Sequence, residues 1–184
     1  MKTLACALVL AGGCAVDAPT PVPGMPADTA LVQLQLTTTG VPGAPPVATL
    51  STQLPVPRML WVELAKIELE SQAGTWQTLS TGPLRFDAMA FAGGASLLLG
   101  DAEVPAGIYR ALRLTFDSAT LVVGPAEQPL DMASGISLIP LDNALGGGGA
   151  YDVALGFDVA DSMWPDSNGY AMAPHVDVEA IVAE

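Results

Sequence analysis

From position 30 onward, apolar residues fall in short runs that alternate with polar ones and are broken by Gly, Pro, Asn and Asp, the texture of an all-β domain. Val32, Leu34 and Leu36 alternate with Gln33 and Gln35, which predicts a strand with one wet face. The strongest alternation is AYDVALGFDV, where Tyr151, Val153, Leu155, Phe157 and Val159 stand opposite Asp152, Ala154, Gly156 and Asp158. Ile136–Leu141 reads as a further strand able to pair with it across the flexible Gly146–Gly149. Leu112, Leu114 and Phe116 share a face, with Ile108 and Arg110 upstream in the same phase and Tyr109, Arg113 and Thr115 on the other. A turn is expected at Asp117-Ser118 before the apolar run Leu121–Val123, and Ser96–Leu99 is expected to end at Gly100-Asp101. Gln72-Ala73-Gly74 predicts a hairpin turn before Trp76. VADSMWPDSNG reads as a helical turn followed by a turn, leading into a last strand with Val176, Val178, Ala180 and Val182 in phase.

One segment is ambiguous on its own. In RMLWVELAKIELE, Leu60, Leu64 and Ile67 fit helical spacing, while Val62 with Leu64 and then Ile67 with Leu69 fit two strand stretches joined by a bulge at Ala65-Lys66. Thr39–Pro57 is Pro-rich and reads as a long loop or an added edge segment. The whole pattern predicts an all-β, antiparallel β-sandwich of about seven to nine strands with one or two short helical turns.

Composition bounds the function. The 184 residues are 51% hydrophobic, enough for one domain with a real core. Six Lys+Arg against 19 Asp+Glu leave a formal charge of −13, which disfavours nucleic acid as a partner. Charged residues are only 14% of the chain and form no run, so the acidity reads as solubility. Lys2 followed by the short apolar stretch Leu4–Leu10 reads as a signal segment, too brief to span a bilayer. Leu10-Ala11-Gly12-Gly13-Cys14 resembles a bacterial lipobox, although Ala11 stands where a Leu is usual. Lipidation of Cys14 also explains the cysteine count, because Cys6 would leave with the signal and Cys14 would otherwise be unpaired in an oxidising compartment. The expected organisation is a signal peptide over 1–13, a Pro-rich tether from the lipidated Cys over 14–29, and a sandwich domain over 30–184. Ala15 after the Cys places it by analogy at the outer membrane of a double-membrane envelope.

Candidate chemistry is sparse. His175 is the only histidine, and no GxSxG elbow accompanies it, so no nucleophile and base pair is evident. One His is too few for a structural zinc site, and no cofactor signature is present. Asp158, Asp161, Asp166 and Asn168 are oxygen donors close in sequence, of a type that suits calcium, but they lack the twelve-residue calcium-loop pattern. The same short side chains also cap helical turns and start turns. Trp61, Trp76 and Trp164 read either as core or edge packing or as a sugar-stacking platform. Pro105 and Gly107 shape a turn, and Tyr109 just after it fits a corner tyrosine whose hydroxyl bonds back to upstream backbone.

From Val62 to Val123 the order and spacing of Val62, Lys66, Ile67, Glu68, Leu69, Trp76, Leu79, Phe86, Asp87, Leu98, Pro105, Gly107, Tyr109, Leu112, Arg113 and Leu114, and later of Phe157 and Asp158, resemble a family of bacterial envelope lipoproteins. That family is defined by a domain of unknown function, DUF4382. The resemblance implies a β-sandwich related to transthyretin-like and carboxypeptidase-regulatory-like modules, favours the bulged strand for residues 58–70, and implies no known chemistry. The chain departs from the family in its longer Thr39–Pro57 loop. The function expected is a non-catalytic, lipid-anchored envelope protein whose sandwich is an interaction or structural module. A carbohydrate- or small-ligand-binding module, with or without calcium, is the alternative, and a hydrolase a distant third.

Overall fold

The structure, a computed structural model, describes residues 20–39, 57–91, 95–167 and 169–184. Among the described residues, twelve strands and one helical turn follow one another: β1 (Thr29–Thr39), β2 (Pro57–Ser71), β3 (Trp76–Asp87), β4 (Leu97–Pro105), β5 (Gly107–Val123), β6 (Ala126–Pro129), β7 (Asp131–Met132), β8 (Ile136–Leu145), β9 (Ala150–Asp158), α1 (Val159–Ser162), β10 (Met163–Asp166), β11 (Gly169–Met172) and β12 (His175–Ala183). One sheet has the order β12-β9-β1-β4 and the other the order β3-β2-β5, with β6 and β8 sharing the far edge of β5. A small sheet, β10-β11-β7, sits apart from these two. The fold is an all-β sandwich, and its two main sheets hold four and five strands.

The core lies between the sheets. Val32, Leu34 and Leu36 of β1 and Leu155 and Phe157 of β9 face Leu60, Leu64, Ile67, Leu112, Leu114 and Leu121 of the opposite sheet, all essentially inaccessible to water. Phe116 and Phe157 meet across the layer with ring centroids 6.3 Å apart, a tilted pair of the kind aromatic quadrupoles favour. β1 pairs antiparallel with β4 and parallel with β9, so the alternation legible in both strands points inward from the middle of one sheet.

Several period-2 readings change at bulges. In β2 the register passes from Leu64 opposite Phe116 to Lys66 opposite Thr115, so Ala65 is an extra residue and the segment is the bulged strand. β5 runs unbroken through Asp117-Ser118, where the spacing predicts a turn. Glu63 opposes Ser118 and Leu64 opposes Phe116, which leaves Asp117 as a bulge and swaps the buried phase from Leu112, Leu114 and Phe116 to Ala119 and Leu121. A second extra residue, Arg110, separates Tyr109 from Ala111. Tyr109 is therefore buried at 3% exposure and Ile108 is open at 46%, the reverse of the phase expected from counting. In β12 the extra residue is Glu179, so Ile181 and Ala183 pack inward while Val182 is exposed. β4 continues through Gly100-Asp101 to Pro105, with Leu99 as its extra residue against β1. β8 pairs with β5, not with β9, because the chain changes sheets at Gly146–Gly149.

The Pro-rich stretch expected to act as a tether is described from Thr20 on, and there it is bound. The Val22 amide donates to the Gly148 carbonyl at 2.7 Å, the Gly148 amide to Thr29 at 2.7 Å, and the Ala106 amide to Asp28 at 2.8 Å, while the Thr20 amide reaches the carbonyl of Glu184. Gly147 is required at this contact, because a Cβ there would stand 1.7 Å from the carbonyl oxygen of Ala27. Residues 1–13 and Cys14 lie outside the described residues.

Candidate functional site

Burial alternation in β2 turns Trp61, Glu63, Lys66, Glu68 and Glu70 to the outer face of the five-stranded sheet, opposite the core positions Leu60, Val62, Leu64, Ile67 and Leu69. Neighbouring strands bring cations to these acids. Arg113 on β5 donates from Nε to Glu68 Oε2 at 2.8 Å and approaches the same oxygen from Nη2 at 2.6 Å, while Lys66 Nζ takes Oε1 at 2.6 Å. The Arg113 guanidinium also lies 4.0 Å from the centroid of the Trp76 ring. Glu68 is only 5% exposed although it points outward, since these side chains cover it. Burial pushes its carboxyl up, but the hydrogen bonds and charges of Lys66 and Arg113 outweigh that and hold it below the usual carboxylate range. Arg110 adds a longer contact to Glu70 at 3.6 Å.

A second Arg and Trp pair lies farther along the same face. Arg85 on β3 stands 4.8 Å from the Trp61 ring centroid, and Ser118 Oγ donates to Glu63 Oε2 at 2.8 Å. Trp61, Glu63, Arg85, Ser118 and Thr120 line a shallow polar groove of about 140 Å³. By contrast, the gap between the sheets lined by Leu69, Tyr109, Leu141 and Val153 is apolar and only about 10 Å³, room for no more than one water-sized sphere. That gap is too small to hold a ligand. Every cation among the described residues, Arg58, Lys66, Arg85, Arg110 and Arg113, belongs to β2, β3 or β5.

Of the residues singled out from sequence, Trp61 and Trp76 belong to this face and the others fall elsewhere. The hydroxyl of Tyr109 donates to the Pro105 carbonyl at 2.7 Å across the turn at Gly107, and burial pushes the phenol pKa up. Asp158 caps α1, its Oδ1 accepting the Asp161 amide at 2.9 Å, and Asp166 Oδ1 accepts the amide of Ser167 at 2.6 Å. Asn168 lies outside the described residues, and among those described no group of three or more His, Cys, Asp or Glu is gathered as for a metal ion. The His175 ring meets Asp177 at 3.1 Å. The buried Ser162 hydroxyl accepts the His175 backbone amide, not its ring, and donates to the Asp158 carbonyl. None of the three tryptophans enters the core. Trp61 and Trp76 stand on the outer sheet face, and Trp164 on β10 is 40% exposed. Composition alone did not single out Arg85, Arg113, Glu63 or Glu68 as a group. The signal was present in their polar places opposite the core phase of β2, but the pairing of Glu68 with a residue 45 positions away needed the register.

No curated protein and no solved structure matches the chain. One family model does, over residues 57–174, from the first residue of β2 to just before β12, leaving β1 and β12 outside the match. The model is described as Domain of unknown function (DUF4382), and with more than half of its residues matched the chain belongs to that family.

Proposed function

We propose that the protein is a non-catalytic, lipid-anchored module of the cell envelope, carried on Cys14 at the outer membrane, that meets its partner through the outer face of the β3-β2-β5 sheet. The observation that supports this reading is segregation. In a chain of net charge −13, all the described cations and two of the three tryptophans gather on one sheet, interleaved with Glu63, Glu68 and Glu70. Matched donors and acceptors beside aromatic rings suit recognition of a polar surface better than general solubility does. The sandwich relationship to transthyretin-like modules belongs to the same reading.

The groove at Trp61 favours carbohydrate as the ligand, since it combines an aromatic wall with a carboxylate, a guanidinium and two hydroxyls. Equilibrium binding of the protein to a glycan panel, with and without calcium, tests this. Saturable binding lost in Trp61→Ala and kept in Trp164→Ala supports a sugar site on this face, whereas loss in Trp164→Ala alone moves the site to β10. The anchor is tested by expression in a bacterial host with lipoprotein processing, where Cys14→Ser is expected to release the protein from the membrane fraction. Retention of that variant on membranes would overturn the anchor.

A further inference from the structure

We infer, resting on the anchored reading above, that the end of the sandwich carrying Thr20–Asp28 is the end that faces the lipid surface, and that the domain is held close to it. The segment is fixed there by backbone bonds from Thr20 to Glu184, from Val22 to Gly148 and from Ala106 to Asp28, with Gly147 packed against Ala27. Only residues 15–19 stand between Cys14 and this fixed point. Fully stretched, the six steps from Cys14 to Thr20 reach roughly 20 Å. Were residues 15–29 a free polyproline spacer, the reach would be roughly 45 Å. β5, with its 17 residues, is on the order of 55 Å long at strand rise, so the leash is much shorter than the body it holds. The near end cannot leave the surface, and the far end, with α1 and β10, is a strand length away from the point of attachment.

Surface chemistry agrees with this placement. Thr20–Ala27 contains no charged residue, and the exposed Ile108 and Val182 lie at the same end of β5 and β12. Bringing the uncharged Thr20–Ala27 toward a bilayer costs little, whereas laying the β3-β2-β5 face on it would strip water from Glu63, Glu70, Arg85 and Arg110. Asp28, Glu103, Asp152 and Glu184 border this end, so the lipid it suits is zwitterionic, not anionic.

The experiment uses the full-length lipidated protein on phosphatidylcholine vesicles that contain an acceptor dye. A donor fluorophore is placed either at Glu103→Cys, beside the bound segment, or at Ser167→Cys, at the far end. Energy transfer is expected to be several-fold greater from position 103 than from 167, and a flexible Gly-Ser insert between Pro19 and Thr20 is expected to lower the transfer from 103. Equal transfer from the two sites on protein that floats with the vesicles overturns this orientation while leaving the anchor intact. Protein that fails to float overturns the anchor itself, and the orientation with it.

Discussion

Replacing Glu68 by Gln keeps the shape of the side chain and removes its charge from beneath Arg113 and Lys66. Three short contacts, at 2.8, 2.6 and 2.6 Å, converge on a carboxylate that is 5% exposed. Hydrogen bonds to charged groups contribute about 1.5–3 kcal/mol each when buried, but here the cations regain water once released, with Lys66 and Arg113 side chains 41% and 30% exposed. The net expected loss is about 2 kcal/mol at neutral pH, or about 5 °C in melting temperature for a domain of this size. The pH dependence fixes the origin of that loss. The folded-state pKa of Glu68 is lowered, so its contribution is complete above the unfolded value, ordinarily 4.5, and is lost as pH falls through the folded value. Urea unfolding of wild type and Glu68→Gln at pH 7 and at several pH values below 4.5 is therefore expected to show two curves that differ most at pH 7 and converge in acid. A difference under about 0.5 kcal/mol at pH 7, the worth of a solvated surface pair, would refute the view that this cluster holds the outer sheet face together. So would a difference that persists unchanged in acid.

Other outcomes rest on the same geometry. Tyr109→Phe removes the bond to Pro105 and is expected to lower stability by about 1 kcal/mol without altering any ligand binding, measured by denaturant unfolding. Because burial raises the Tyr109 pKa, the protonated phenol's contribution is complete below its usual value of 10.0 and is lost as pH rises through the folded value, so the gap between wild type and variant should close in strong alkali. Gly147→Ala drives a methyl into the Ala27 carbonyl and is expected to detach residues 20–28, seen as new proteolytic cleavage before Thr29 and a stability loss of about 1–3 kcal/mol. Asp158→Ala should cost about 1 kcal/mol through loss of the α1 cap, and a wild-type melting curve in that variant would deny the cap any role.

Fold class was legible because β1 alternates along its whole length and β9 alternates over Tyr151–Leu155. Facing held at the bulge expected at Ala65-Lys66 and failed at added residues that the spacing did not announce. Arg110, Asp117 and Glu179 each invert the phase of the residues after them, and nothing in their side chains marks them as extra, since a bulge is set by the partner strand. The pairing expected between Ile136–Leu141 and Tyr151–Val159 reflects the tendency of sequence neighbours to lie together, and four glycines carried the chain to the other sheet instead. The Pro-rich 20–28 looked like a spacer because composition reports what a segment does alone. Its binding comes from amides and carbonyls on Gly148, Ala106 and Glu184, which no side-chain pattern records. Of the candidate site, the tryptophans were visible by type, but their arginines needed the register to appear beside them.

The parallel pairing of β1 with β9 sets the order in which the molecule can be assembled. Leu31 lies opposite Ala150, so the first strand to emerge waits for one made far later, and β9 in turn needs β12 on its other edge. Contacts between such distant parts of a chain form slowly, because the closure entropy of the intervening loop is lost before any pairing repays it. During that interval β1 offers Val32, Leu34 and Leu36 on a strand with an unfilled edge, which is the stretch through which two half-folded copies would stick to one another.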